Sequence, residues 1–380
     1  MKIAHICPFY TPAIGGVKQV VEELAKRQVK LGNEVHIYTS DWDKEKRITP
    51  LNETIQGIQV HRCKHWFRAA NFMTFWPSVL PKLLKQDFDV IHSHLFGHPH
   101  FVLSVLAAKL KGAKYIHTTH CPWSDSKRSL IGKLGLIISY HTFSRLSLKI
   151  TDKIIAITPW EKNFIKKFGG NENQIKVLPN GMDNTFFKKI KNNDFRKKHK
   201  IKPNQPLILF FGRLNITKGP EKFVEIAHLI LKEKPNYVFL ILGPDEGMLQ
   251  IVKEKIGKEK RIILLPATRD RKEITKMYQA ADIYVMPSYR EGLPLTLFEA
   301  MASGLPIVAS PVNGIPYEMK NLENGFLVNY GDNKKFKEKI IELIDNPTLR
   351  KKISLNNLKK AKNYNWDLIN KKTLEIYKQK

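Results

Sequence analysis

The chain has 380 residues, 42% of them hydrophobic, which is enough for two domains with sizeable cores and too apolar for a disordered chain. Lysine and arginine number 64 against 35 acids, and the formal net charge of +29 suits nucleic acid, an anionic membrane surface, anionic small substrates or a lysine-rich solvated surface. No nucleic-acid-binding signature accompanies the charge, no apolar run approaches the ~18 residues of a membrane span, and Cys7, Cys63 and Cys121 are too scattered for a disulfide framework or a zinc site.

Few apolar residues follow Lys2 before His5, Pro8 and Pro12, so no secretory leader is read there, and the cysteine usage suits a reducing cytoplasm. The first strand, 2–7, enters a loop with Gly15 and Gly16, and a helix over 17–31 follows with Val20, Val21, Leu24 and Leu31 as its apolar stripe. Strand, Gly-Gly loop and helix form an anion-binding arrangement at the edge of a parallel sheet, although the dinucleotide fingerprint GxGxxG is absent. Strands at 34–39, 58–62, 89–93 and 114–119, with a helix near 101–111, continue the alternation of a parallel α/β sheet. Ligands of such sheets bind beyond the carboxyl ends of the strands. Those ends carry His92, His94 and His98 after one strand and His117 and His120 after another. A metal reading of these histidines lacks supporting carboxylates, so no metal is assigned and His120 is the functional candidate. Asp41-Trp42-Asp43 and Asp87-Phe88-Asp89 are read as structural, because a three-residue pattern recurs easily by chance and Asp89 opens a strand.

Residues 127–150 read as one long helix, apolar at Leu130, Ile131, Leu134, Ile137, Ile138, Leu146 and Leu148 and basic at Lys127, Arg128, Lys133, Arg145 and Lys149. The same stripe fits a helix covering the sheet or one lying on an anionic membrane. Strands at 153–157 and 175–178 complete a first domain, 1–185, and the charged stretch 186–205 with Pro203 reads as a linker. The alternation restarts with strands at 207–212, 237–242, 261–264, 282–286 and 306–309 in a second domain, 206–362, and an amphipathic helix ends the chain over 363–380.

The strand-to-helix turn after 207–212 places Arg213 and Lys218 where a ligand of the second sheet would bind, a guanidinium fork and a compact ammonium suited to phosphate. Gly243 ends the next strand in a glycine turn that permits close backbone approach. Residues 287–310 read PSYREGLPLTLFEAMASGLPIVAS: a strand end, a turn with Gly292 and Leu293, a helix opened by Pro294 and Leu295 and stopped by Gly304, then another strand. The helix is apolar on nearly every side, so Glu299 within it needs partners. Glu291 stands just outside the helix mouth, roughly 8 Å or more away at ~1.5 Å of rise per helical residue. Two acceptors for hydroxyls with an anion seat between them suit a sugar nucleotide.

Taken together, Gly15-Gly16, His120, Pro179-Asn180-Gly181, Arg213 with Lys218, and the E-x7-E pattern from Glu291 to Glu299 resemble a retaining GT-B glycosyltransferase of family 4. The resemblance runs nearly end to end and is strongest over 207–328. It implies an α/β protein of two Rossmann-like parallel-sheet domains facing across a cleft, with the final helix crossing back to the first domain. It implies that Arg213 and Lys218 bind the diphosphate of a UDP- or GDP-linked hexose, that Glu299 holds the ribose, and that Glu291 touches the hexose. Backbone N–H groups after Gly292, from Leu293 through Leu295, would lie near sugar and phosphate, and His120 would face the sugar from the first domain. Gly15 and Gly16 would border the acceptor, a sugar, glycan or lipid-linked molecule.

The resemblance also implies transfer with retention, no cofactor beyond the nucleotide sugar as co-substrate and no bound metal; the cysteine usage gives a cytoplasmic protein, and the basic helix with the net charge gives a reading in which it is peripheral at the inner face of the membrane. Double displacement needs a carboxylate beneath the anomeric carbon. In the family Glu291 is placed for hydroxyls, so front-face attack is the expectation. A non-catalytic nucleotide-sugar-binding protein, a sugar-nucleotide epimerase and a glycoside hydrolase are the competing readings. The last has no use for the Arg213–Lys218 pair, and an epimerase gives no reason for E-x7-E.

Overall fold

Strands buried on both faces need apolar side chains at nearly every position, and short runs such as Leu207–Phe211 and Val238–Leu242 supply them. The computed structural model describes residues 1–13, 15–43, 46–69, 73–121, 130–268 and 270–379. They divide between two units, Met1–Asn180 with Trp366–Lys380, and Gly181–Asn365.

The first unit contains β1 (Lys2–Ile6), β2 (Glu34–Ser40), β3 (Asn52–Ile55), β4 (Ile58–Cys63), β5 (Phe67–Ala69), β6 (Met73–Phe75), β7 (Val90–His94), β8 (Lys114–Thr118), β9 (Lys153–Ala156) and β10 (Ile175–Val177). Eight of them form one sheet in the order β10-β9-β8-β7-β1-β2-β4-β3, parallel except for β3, which runs antiparallel to β4. β5 and β6 pair antiparallel apart from it. The second unit holds β11 (Leu207–Phe211), β12 (Val238–Leu242), β13 (Ile262–Leu265), β14 (Ile283–Met286), β15 (Ile307–Ala309) and β16 (Gly325–Leu327), all parallel in the order β13-β12-β11-β14-β15-β16. In both sheets the order reverses around a central strand, the arrangement that places ligands at the carboxyl ends. The fold is α/β, with two doubly wound parallel sheets.

The last helix, Trp366–Lys378, packs on the first unit: Trp366, Ile369, Ile376 and Tyr377 are buried, and Arg27 Nε donates to Asp367 at 2.7 Å. Residues 186–205, expected to be a linker, instead pack on the second unit. Arg196 donates to Ala280 O at 2.9 Å and to Asp282 at 2.8 Å, while Phe195 and Ile201 are buried. The charge of that stretch hides one anchoring guanidinium and its apolar neighbours. The single helix expected over 127–150 is two, Leu130–His141 and Phe143–Lys149, parted at Thr142. Lys127 and Arg128 lie outside the described residues.

Candidate functional site

In the second unit, β14 leads through residues 287–294 into the helix Leu295–Ala302. Pro294 is extended (φ −73°, ψ 135°) and stands before the helix, where the sequence suggested the first helical position. Gly304 adopts φ +73°, the left-handed stop expected of it. Glu291 is buried. Its Oε1 accepts from Ser288 Oγ at 2.7 Å, its Oε2 pairs with Lys218 Nζ, and its backbone carbonyl accepts from Asn313. A buried carboxylate persists only with such partners. The Arg213 guanidinium and Asn215 share Glu246 Oε2 at 2.7 and 2.9 Å, an exposed pairing. Both cations singled out from sequence are therefore already partnered by carboxylates, and Glu246 is one that sequence reasoning missed.

Backbone bonds stitch the two loops together. Thr217 O accepts from the N–H groups of Tyr289 at 2.9 Å and Arg290 at 3.2 Å, and Asn215 Oδ1 accepts from the N–H groups of Thr217 and Lys218. Two glycines are required by close approach. A Cβ on Gly219 (φ +66°) would lie 2.1 Å from Pro287 O, and one on Gly243 would lie 1.7 Å from Gly212 O. Strand-to-turn packing against Gly212 therefore requires a glycine at position 243. Gly292 and the buried Leu293 complete the turn before the helix.

Glu299 faces inward from its helix and accepts from Tyr278 Oη at 3.1 Å. Burial pushes its carboxyl up to about 7, against the opposing influence of the Arg271 guanidinium and the Tyr278 hydroxyl. Arg271 in turn pairs with Asp183 at 3.1 Å. Tyr278, Arg271 and Asp183 were not legible as site residues, because no motif links positions so far apart in sequence.

In the first unit, His120 follows β8 in the left-handed region (φ 57°), as does Cys121 (φ 51°). Consecutive non-glycine residues there are strained and persist only where the surroundings hold them. The holder is Glu161, fully buried, whose Oε1 accepts from Thr119 Oγ1 at 2.6 Å and Cys121 N at 2.7 Å while Oε2 accepts from Ile157 N at 2.7 Å. The Thr158-Pro159-Trp160-Glu161 run has the spacing of a helix-start box, a signal that could have drawn attention to it. Pro122 and Trp123, read beside His120, lie outside the described residues. Behind His120, its Nε2 meets His94 Nδ1 at 3.1 Å, His94 Nε2 meets His5 Nδ1 at 3.0 Å, and His5 Nε2 meets Gln28 Oε1 at 2.8 Å. His92 lies beside them, bonded to Tyr377 Oη at 2.6 Å and Thr118 Oγ1 at 2.7 Å. Nitrogens of His5, His92 and His94 lie within 4.8 Å of one another, a spacing that suits a metal, yet both nitrogens of every ring are taken by these bonds. Burial lowers the pKa of His5 to about 4 and of His120 to about 3, and holds His92 and His94 well below the usual imidazole range. The rings are neutral at physiological pH.

Gly15 stands just before the helix Gly16–Lys30, and a Cβ at either glycine would meet no heavy atom within 4 Å. Open space rather than packing accompanies this pair. Among the described residues no helix is long and apolar enough to cross a membrane.

Comparison with known proteins bears on both units. Residues 14–186 match the family described as Glycosyltransferase Family 4, and residues 191–360 match Glycosyl transferases group 1. An uncharacterized glycosyltransferase of Methanocaldococcus jannaschii is 29% identical over 100% of this chain and 98% of its own. The UDP-Gal:alpha-D-GlcNAc-diphosphoundecaprenol alpha-1,3-galactosyltransferase of Escherichia coli is 30% identical over 71% of this chain and 70% of its own. Among solved structures, sucrose-phosphate synthase of Thermosynechococcus elongatus aligns with a TM-score of 0.77 at 21% identity, covering 100% of this chain and 98% of that one. Anabaena HepE in complex with UDP-glucose aligns at 0.78 and 18%, covering 99% and 98%. These two likenesses show the fold, GT-B.

Proposed function

The chain belongs to the group 1 glycosyltransferases of family 4, and from that premise we propose that it moves a hexosyl group from a nucleoside-diphosphate sugar to a glycan or lipid-linked acceptor, with retention and without a metal. The observation that carries the donor reading is the Lys218–Glu291 pair, set with Ser288 at the carboxyl end of β14 beside the helix that holds Glu299. A diphosphate arriving there offers Lys218 a second anion, and the hexose offers Glu291 hydroxyl donors, so each can satisfy its partner's former bonds. Arg213 makes the same exchange from Glu246. Glu299 accepts from the ribose hydroxyls. The names of the Escherichia coli relative and of the HepE complex, UDP-galactose and UDP-glucose, support a uridine-linked hexose, and the former supports a lipid-linked acceptor.

The reaction is front-face substitution. The bond from the anomeric carbon to the phosphate oxygen breaks, the acceptor oxygen bonds to that carbon on the same face, and the acceptor's proton passes to the leaving phosphate. Lys218 and Arg213 offset the charge that develops on the diphosphate. We assign His120 to a hydroxyl of a bound sugar, the role that the family resemblance implies. A thermal-shift panel of nucleotide sugars followed by transfer assays tests this reading, since a ligand that binds only the folded state raises its apparent stability. UDP-hexoses are expected to give the largest shifts. Glycoside cleavage together with indifference to every nucleotide sugar would end the reading.

We also propose a membrane-facing role for the first unit. Leu134, Ile137, Ile138, Phe143 and Leu146, on the helices Leu130–His141 and Phe143–Lys149, are each more than half exposed. No aspartate or glutamate occurs from 126 to 151, whereas Arg145 and Lys149 lie among the apolar residues. Exposed apolar residues with cations among them fit an anionic lipid surface, where a lipid-linked acceptor resides. Co-sedimentation with anionic liposomes at low salt, weakened by raised salt and by Phe143→Asp, is the expected result; no binding at low salt refutes it.

A further inference from the structure

Parallel pairing of β1 with β7 and of β7 with β8 brings His5 and His94 beside His120, two residues beyond β8. The fully buried Gln28, on the helix that starts at Gly15-Gly16, closes the line. We propose that Gln28, His5 and His94 are positioning residues that fix the tautomer of His120, so that His120 presents a bare Nδ1, a hydrogen-bond acceptor, to a hydroxyl of the bound sugar. The proposal rests on the reading above that His120 meets the sugar.

The direction follows from one acceptor. A carbonyl oxygen cannot donate, so at 2.8 Å from Gln28 Oε1 the His5 Nε2 carries the proton. A neutral imidazole has one N–H, so His5 Nδ1 accepts, and His94 Nε2 at 3.0 Å must donate to it. His94 Nδ1 then accepts from His120 Nε2 at 3.1 Å, and the remaining His120 nitrogen is left with a lone pair. Desolvation keeps the rings neutral, which is the condition for the chain to have a direction at all. The Gln28 amide nitrogen is buried and has no hydrogen-bond partner among the described residues. Turning that amide over would reverse every donor in the line, and this makes the direction testable. The left-handed turn clamped by Glu161 holds the ring at the end of the line.

Side-chain 15N NMR of histidine-labelled full-length protein, without ligand, reads the tautomers directly, with His120→Gln, His94→Gln and His5→Gln for assignment. The expected pattern is Nε2–H on His5, His94 and His120. Gln28→Leu removes the acceptor, so His5 is expected to keep its proton on Nδ1, where His94 can accept it; all three rings then reverse and His120 becomes a donor. Gln28→Glu keeps an acceptor oxygen and the original pattern. In transfer assays Gln28→Leu is expected to lower kcat about tenfold with donor KM within about twofold, and Gln28→Glu to restore it.

Nδ1–H on His120 in the wild type overturns the proposal. So does a folded Gln28→Leu with unchanged tautomers. Shifts of the His5, His92 and His94 signals together on adding Zn2+ alone would show a metal cluster in place of the chain and overturn the proposal. Reversal without any change in kcat would remove the catalytic consequence and would count against His120 in the functional reading, while donor binding by the second unit would stand.

Discussion

Around His120 the buried polar groups are neutral rings that hydrogen-bond one another; around Glu291 they are charged groups that neutralise one another. The first arrangement has low desolvation cost and carries information as direction, because each ring donates on one side and accepts on the other. The second costs desolvation of both ions and is stable only while the pair is intact. It is suited to exchange: a ligand with an anion and hydroxyls can replace each partner. In the proposed reaction one unit orients a group and the other trades partners.

The largest effect is expected from Lys218→Ala, which strands the buried Glu291 carboxylate; unfolding in urea should show a loss of about 3–5 kcal/mol. Glu291→Gln in the same chain should recover much of that stability, and transfer should remain depressed by about 10²–10³ in kcat/KM. A smaller loss, about 3 kcal/mol, is expected for Glu161→Ala, which leaves three donors around the His120 turn without their acceptor. Its transfer rate should fall while UDP affinity holds.

Glu299 offers a test by pH. Its carboxyl is raised from 4.5 to about 7, so the folded protein holds a proton that the unfolded chain releases. The burden of ionising it is therefore absent below about pH 4.5, grows across the window to pH 7 and is constant above. Relative to Glu299→Gln, the wild type should lose about 3 kcal/mol of stability between those limits, read from denaturation curves at successive pH values. The smallest effect belongs to the exposed Arg213–Glu246 pair. Arg213→Ala should change stability by less than about 1 kcal/mol while lowering transfer, a separation that an ordinary surface arginine would not show.

Much of the framework was legible because strands buried on both faces read as apolar runs: β11, β12 and β14 lie within a residue of their expected limits. The edge strand β3, Asn-Glu-Thr-Ile, was not, since its alternately exposed side chains resemble a loop. The stretch 186–205 was misread because composition reports charge and not the partner of one arginine. For the site, the motif brought Glu291, Glu299, Arg213 and Lys218 to attention. It did not show that Lys218 and Glu291 pair across 73 positions, nor that Glu246 holds Arg213. The histidines at strand ends were visible one by one. Their union depends on strand order, which placed β1 between β2 and β7 and set His5 opposite His92.

The central claim is that the second unit binds a nucleotide sugar by exchanging the partners of Lys218 and Glu291. Calorimetric titration of UDP-glucose and UDP-galactose into the wild type and into the Lys218→Ala, Glu291→Gln double variant tests it most directly. Saturable binding of at least one donor by the wild type is expected, with its loss in a double variant that remains folded. Equal affinity in both proteins would contradict it.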